Sequence, residues 1–288
     1  MQLQRPSSLE DFVALSHKPG ARVLAGGTEL VPLLRDGLVT AETLLEIRDV
    51  VPKGVRAEFV AQSHKLVIGG ATTLAELERD AEIPEVLREA CRLAASPQLR
   101  NMGTVAGNLL QATRCWYWRL KVPCWLHGGD VCHARQGQHR EHAIFGNDQC
   151  ASAHPSDIAA ALLTLNTRIR TDRRELPLAE LYRLPTDDNR ETTTLEPGEL
   201  ILELEADVPQ RSTYLKAMDR KRWAFALVGV AAARFDDGLR LALAGVAPIP
   251  WVLSDNGALD TATPLPGTAY KVELARALVK RATGQVSD

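Results

Sequence analysis

The 288 residues predict an α+β protein of two domains, and three observations carry that prediction. A strand–Gly-Gly–helix unit occurs twice in the first third, as RVLAGGTEL and as LVIGGATTLAEL. A polar, irregular segment follows residue 172, with Pro177, Pro185 and Pro197 in it, and reads as the boundary. Beyond it the apolar residues alternate strand-fashion around a single helix, as expected of a smaller α+β domain.

Each element has a local reason. Ser8 is placed to cap a short helix carrying Leu9, Phe12 and Leu15. The strand ending at Leu24 enters Gly26-Gly27, with Thr28 as the expected cap of the helix bearing Leu30, Leu33 and Leu34. Such a turn leaves backbone N–H groups converging on one concavity, which suits a phosphate; taken alone, two glycines equally make a plain link between strand and helix. Residues 56–70 read as a hairpin turning near Ser63-His64. Thr73 and Glu76 spell a capping box after Gly69-Gly70. Cys91 falls on the buried side of an amphipathic helix, a small core residue. The loop from Arg100 to Asn108 sets Gly103 and Gly107 around Thr104, with amides at Asn101 and Asn108, and allows close backbone approach to a flat or phosphorylated ligand. Ser156 caps the helix after Pro155, and Asp157 in its first turn complements the helix dipole.

Composition narrows the function classes. An apolar fraction of 45%, a charged fraction of 24% and a formal charge of -2 describe an ordinary globular protein with no polybasic surface for nucleic acid or anionic lipid. No run approaches 18 apolar residues, so no membrane insertion is expected. MQLQRPSSLEDFVALS lacks the apolar core and small-residue site of a secretory signal. Five cysteines without a signal point to the cytoplasm; a subunit exported with a signal-bearing partner, to the periplasm, would carry the same sequence.

The stretch from Arg114 to Asp157 concentrates the chemistry. It holds four of the five cysteines, five of the seven histidines and three of the five tryptophans, a crowding of soft ligands that points to a metal or a cluster. The spacing Cys115-x8-Cys124-x7-Cys132-x17-Cys150 lacks the close pair that a zinc knuckle needs, whereas an iron–sulfur cluster takes thiolates from well-separated points of a wrapping loop. His127, His133, His139 and His142 are alternative ligands, or else solvated or hydrogen-bonding loop residues.

AGGTEL at 25–30, IGGATTLAEL at 68–77, QLRNMGTVAGNL at 98–109 and HPSD at 154–157 together resemble the flavin subunit of the molybdenum hydroxylases, the xanthine dehydrogenase and aldehyde oxidoreductase family. LALAGVAPIPW resembles that family's C-terminal flavoprotein domain. The resemblance implies a vanillyl-alcohol-oxidase-type (PCMH-type) FAD-binding domain at 1–175, in two α+β subdomains of about 1–52 and 53–175. It also implies a smaller CO-dehydrogenase-flavoprotein-like α+β domain at 176–288. Residues 112–152 stand as an insertion between the Gly-Asn and Ser-Asp motifs, and resemble the branch carrying an extra [4Fe–4S] cluster, which includes hydroxybenzoyl-CoA reductases and bacterial aldehyde oxidoreductases. The reductases place their last cysteine before a His-Ala pair, where this chain has Glu141; Cys150 matches the aldehyde oxidoreductases instead.

Site residues follow from the resemblance. Leu24, Ala25, Gly26, Gly27, Thr28, Glu29 and Leu30 would cradle the FAD pyrophosphate. Thr104, Gly107 and Asn108 would lie against phosphate and ribityl, Asp157 would take ribityl or ribose hydroxyls, and Arg100 and Asn101 would border the pocket. Lys216 would approach the isoalloxazine ring. Cys115, Cys124, Cys132 and Cys150 would hold the cluster. The implied partners are a molybdopterin-binding large subunit and a small subunit with two [2Fe–2S] clusters, with electrons passing through this chain and no substrate bond broken in it. A hydroxybenzoyl-CoA reductase subunit and a flavin-free, zinc-stapled assembly subunit are the competing expectations.

Overall fold

The computed structural model describes residues 1–60, 63–254 and 258–287. Three sheets build the mixed α+β fold. The first is parallel, with strand Thr43–Glu46 between Gln2–Gln4 and Ala21–Leu24. Its connections run through the helices Leu9–Ser16 and Leu30–Arg35, as parallel pairing requires a crossover. Phe12, Leu45, Ile47 and Val51 form its core together with Ala71, Leu200 and Leu202 from the next sheet's connections.

The second sheet is antiparallel, with strands in the order Val55–Val60, Ser63–Gly69, Ile201–Asp207, Arg168–Thr171, Glu175–Pro177. Val60 pairs with Ser63, so Ser63-His64, expected as the turn, lie in the strand; the two linking residues fall outside those described. Strand Ile201–Asp207 lies between Ser63–Gly69 and Arg168–Thr171. The chain therefore returns to the first domain well after residue 175, where sequence placed the boundary. Prolines mark the excursion, but Leu202, Leu204 and Ala206 bury one face of a strand that only this sheet can pair.

The third sheet is an antiparallel meander of Arg211–Met218, Ala226–Phe235, Gly238–Ala244 and Trp251–Leu253. Its central strand is buried on both faces. Ala231 and Ala233 face the helices Glu85–Ala94 and Asp157–Thr164, while Val228, Val230 and Ala232 face the closing helix Tyr270–Ser287. One core thus runs from the second sheet through helix Asp157–Thr164 into the third.

Candidate flavin and cysteine sites

The glycine loop folds as a cradle because side chains are missing where backbones meet. A Cβ on Gly26 would sit 1.7 Å from the Met102 carbonyl oxygen, and Gly27 has φ +74°, so the loop at 25–30 lies directly on the loop at 102–104. The second Gly-Gly turn is stitched to the same place: Ala106 N donates to Gly70 O (3.1 Å), Val105 N to Thr72 O (2.9 Å) and Leu74 N to Gly103 O (2.9 Å). Thr104 caps the short helix Val105–Leu109 through Gly107 N.

Ala25, Gly26, Gly27, Thr28, Glu29 and Leu30 line one cavity with Gly70, Ala71, Thr104, Gly107 and the segment 199–201. A second cavity adjoins it through Thr28, Glu29 and Gly107, and continues past Gly103, Asn108, Arg114, Asp157 and Phe225. Together they form an elongated cleft that starts on a glycine turn and ends against an arginine and a phenylalanine.

Several predicted site residues stand elsewhere. Leu24 is a strand residue whose carbonyl accepts from Ile47 N, and it does not line the cleft. Thr28 lines the cavity but caps nothing; Glu29 occupies the cap position of helix Leu30–Arg35. Arg100 turns inward, clamping Glu78 with two bonds (2.8 and 3.0 Å), and Asn101 accepts from Arg79 at the exposed surface. Lys216 is fully buried on Asp157, 2.7 Å from its carboxylate, donates also to Leu93 O, and does not line the cleft. Asp157 accepts from Tyr214 as well, which leaves its carboxylate engaged by the protein on both oxygens. A sequence-only assignment could not see these pairings, because every partner is distant along the chain. Gly70, Ala71, Arg114, Phe225 and the segment 199–201 were missed; the second Gly-Gly unit was a usable signal for Gly70, and the rest had none.

HPSD has a structural logic. Ser156 caps helix Asp157–Thr164 and its hydroxyl lies 2.6 Å from Asn108 Oδ1, so the two ends of the insertion meet. His154 Nδ1 accepts from Ser156 N, and burial holds its pKa down near 4, keeping the ring neutral.

The insertion has little regular structure, yet three of its cysteines recur in one local pattern. Cys115, Cys124 and Cys132 each occupy the position before a helical turn: Trp116–Arg119, Trp125–His127 and His133–Arg135. Such a position aims free backbone amides at the sulfur. Amides of Tyr117 and Trp118 favour a Cys115 thiolate against a burial that raises its pKa, while Ala151 N donates to Cys132 Sγ (3.5 Å). Cys132 and Cys150 share a proton; that bond pulls Cys132 down to about 5 and drives Cys150 upward. All four line one small cavity walled by Tyr117, Trp118, Trp125, Leu126 and Ala134. Among the described residues no three His, Cys, Asp or Glu side chains are set to hold a single metal ion. Four thiol groups thus stand around one apolar hollow, a donor set of soft ligands. Cys91 is separate, wholly buried and with its thiol pushed up by burial, as expected of a core residue.

The cysteine cavity is tied to the glycine cradle. Glu29 accepts from Arg119 (2.6 Å) and from Ala112 N (3.2 Å). Arg114 lies 2.7 Å from its other oxygen, at an angle that makes this a charge contact and not a directed hydrogen bond. Cys115 lines the cysteine cavity and also an open cavity with Arg114, Trp116, His142, His154, Asp219, Arg220 and Phe225.

Known proteins share these features. The family model described as the FAD binding domain in molybdopterin dehydrogenase matches residues 1–210. The aldehyde oxidoreductase FAD-binding subunit PaoB of Escherichia coli (strain K12) is 39% identical over 256 residues, 84% of this chain and 80% of that protein. The carbon monoxide dehydrogenase medium chain of Afipia carboxidovorans is 41% identical over 111 residues, 36% of this chain and 37% of that one. Among solved structures, a chain of Cu,Mo-CO dehydrogenase has the same fold, with TM-score 0.71 and 24% identity over 99% of this chain and 97% of that one. No helix among the described residues is long and apolar enough to cross a membrane.

Proposed function

Because the chain belongs to the family of FAD binding domains in molybdopterin dehydrogenases, we propose that it is the FAD- and [4Fe–4S]-carrying electron-transfer subunit of a molybdenum hydroxylase of the aldehyde oxidoreductase kind. The carrying observation is that four cysteines from separate points of one insertion line a single cavity beside a glycine-lined cleft. FAD, when bound, takes electrons singly and releases them in pairs. The cluster carries one electron at a time.

The chain's own residues bind and orient these groups. Backbone amides at Gly26 and Gly27 would face the pyrophosphate, with no side chain to hold it off, while the Gly107 amide is held by Thr104. Thr28, Thr104 and Asn108 offer hydroxyl and amide partners along the cleft. Leu99, Leu110 and Phe225 line it while exposed, apolar surface that a bound flavin would cover. Asp157, locked by Tyr214 and Lys216, fixes the cleft floor; its role is support rather than hydroxyl recognition. The four cysteines would supply the thiolates, and the backbone amides facing Cys115 and Cys132 favour that charged form.

The proposed partners are a molybdopterin-binding large subunit and a small subunit with two [2Fe–2S] clusters, in keeping with relatives named as subunits and medium chains. The free thiols suit a reducing, cytoplasmic location. Cys150 at the cysteine cavity, with Glu141 at the neighbouring open one, favours the aldehyde oxidoreductase pattern over the hydroxybenzoyl-CoA reductase one.

The test is the iron and flavin content of the purified chain and two variants. Iron near four per chain with one FAD is expected, lost on Cys150→Ser and kept on Glu141→Gln. A colourless protein containing zinc would sink the proposal, and iron lost on Glu141→Gln alone would favour the reductase alignment.

A further inference from the structure

His142 lines the open cavity that reaches Arg114 and Phe225, beside Cys115, which also lines the cysteine cavity. Its Nε2 lies 3.2 Å from Cys115 Sγ, and Cys115 alone of the four cysteines lines both cavities. The imidazole is 3% exposed and held from several directions. Its backbone N–H donates to His139 O (2.9 Å), its carbonyl accepts from Lys271 Nζ (2.9 Å), and its ring meets Trp116 edge-on at 4.9 Å. Its Nδ1 has no hydrogen-bond partner among the described residues.

These facts define a direction for the bond. A thiolate offers only acceptor sites, and a neutral imidazole has one donor nitrogen. With Cys115 as a thiolate, the proton belongs on Nε2, and the unpartnered Nδ1 carries the lone pair.

We infer that His142 is a positioning residue that donates a hydrogen bond to the Cys115 thiolate and so tunes the reduction potential of a cluster held by the four cysteines. This rests on the cluster reading above. Of the four cysteines, only Cys115 lines the open cavity that shares Arg114, Pro155 and Phe225 with the cleft, so a donor there would act on the thiolate on that side. Hydrogen bonds to cluster sulfurs stabilise the more negative, reduced state and raise the potential. A hydrogen bond to a thiolate is charge-assisted and stronger than one between neutral groups.

The experiment compares the full-length chain with His142→Phe and His142→Gln, purified anaerobically, by iron and FAD content and by an EPR-monitored redox titration. His142→Phe keeps a ring against Trp116 but has no donor; His142→Gln restores an N–H near the Nε2 position. The expected result is wild-type iron in all three, a lower cluster midpoint potential in His142→Phe, and a potential close to wild type in His142→Gln. Iron retained in His142→Phe with an unchanged potential overturns the inference, as does a shift in His142→Gln as large as that in His142→Phe. Loss of iron from His142→Phe alone also overturns it, by making His142 a ligand or a brace. Absence of iron from the wild-type chain defeats the cluster reading itself, a different failure recognised before any variant is compared.

Discussion

Lys216 Nζ lies 2.7 Å from Asp157 Oδ2, and neither side chain has appreciable contact with solvent. The pair joins the first turn of helix Asp157–Thr164 to the edge strand Arg211–Met218, and Tyr214 of the same strand binds the other carboxylate oxygen. Removing one member leaves an uncompensated buried charge, which costs about 3–5 kcal/mol. Lys216→Met is therefore expected to lower the midpoint of urea unfolding strongly, and Lys216→Met with Asp157→Leu to recover much of the loss. Flavin lost from Lys216→Met at a wild-type unfolding midpoint would instead return Lys216 to the flavin itself.

Gly26 tests the cradle by steric means. A methyl group there meets the Met102 carbonyl oxygen at 1.7 Å, a backbone atom that cannot swing away. Gly26→Ala is expected to separate the two loops, at a cost of about 1–3 kcal/mol or more, and to abolish FAD retention on gel filtration. Gly284→Ala is the control: it sits in the closing helix with nothing near its added Cβ, and should leave FAD in place while stabilising by up to about 1 kcal/mol. Full FAD occupancy in Gly26→Ala would remove the cradle from the site.

His154 makes stability depend on pH. Its pKa is near 4 in the folded chain, against a usual value of 6.5, because burial, and to a lesser extent the Arg114 charge, penalises the charged ring. Between these two values the unfolded chain binds the proton that the folded chain refuses, so stability falls as pH drops from about 6.5 to about 4. The full effect is roughly 3 kcal/mol at about 1.4 kcal/mol per unit. His154→Gln is expected to be less stable than wild type at pH 7 and to have a flatter stability profile over that window. An identical slope in the two proteins would exclude His154 as the source.

Short-range features were legible in the sequence because their causes are short-range. The Ser8, Thr73 and Ser156 caps, the two Gly-Gly turns and the buried Cys91 all depend on neighbours within a few residues. Arg100, expected to border the flavin pocket, and Lys216, expected to approach the ring, pair with Glu78 and Asp157, partners that no periodicity reveals. The strand Ile201–Asp207 was displaced for the same reason: its sheet partners at Ser63–Gly69 lie far back in the chain, and local prolines spoke louder. In the insertion the cysteine spacing argued against a zinc knuckle, but only the fold could put all four thiols on one cavity.

Glu29 carries the last prediction, because it belongs to both sites. It is part of the glycine cradle, yet its carboxylate takes Arg119 and the Ala112 amide and sits against Arg114, the three groups that begin the cysteine insertion. Its side chain is 18% exposed, so the contacts are only partly screened. Charge-assisted hydrogen bonds of this kind contribute about 1.5–3 kcal/mol each. Glu29→Gln keeps the shape and an acceptor for Ala112 while leaving two arginines without their counter-charge. The expected result is a joint loss: faster FAD release on dilution, faster iron loss to a chelator, and a lower Tm. Glu29→Asp, with the charge kept but the reach shortened, should fall between. If FAD release quickens while chelation of iron keeps its wild-type rate, the cradle and the insertion are held independently and Glu29 serves the flavin alone.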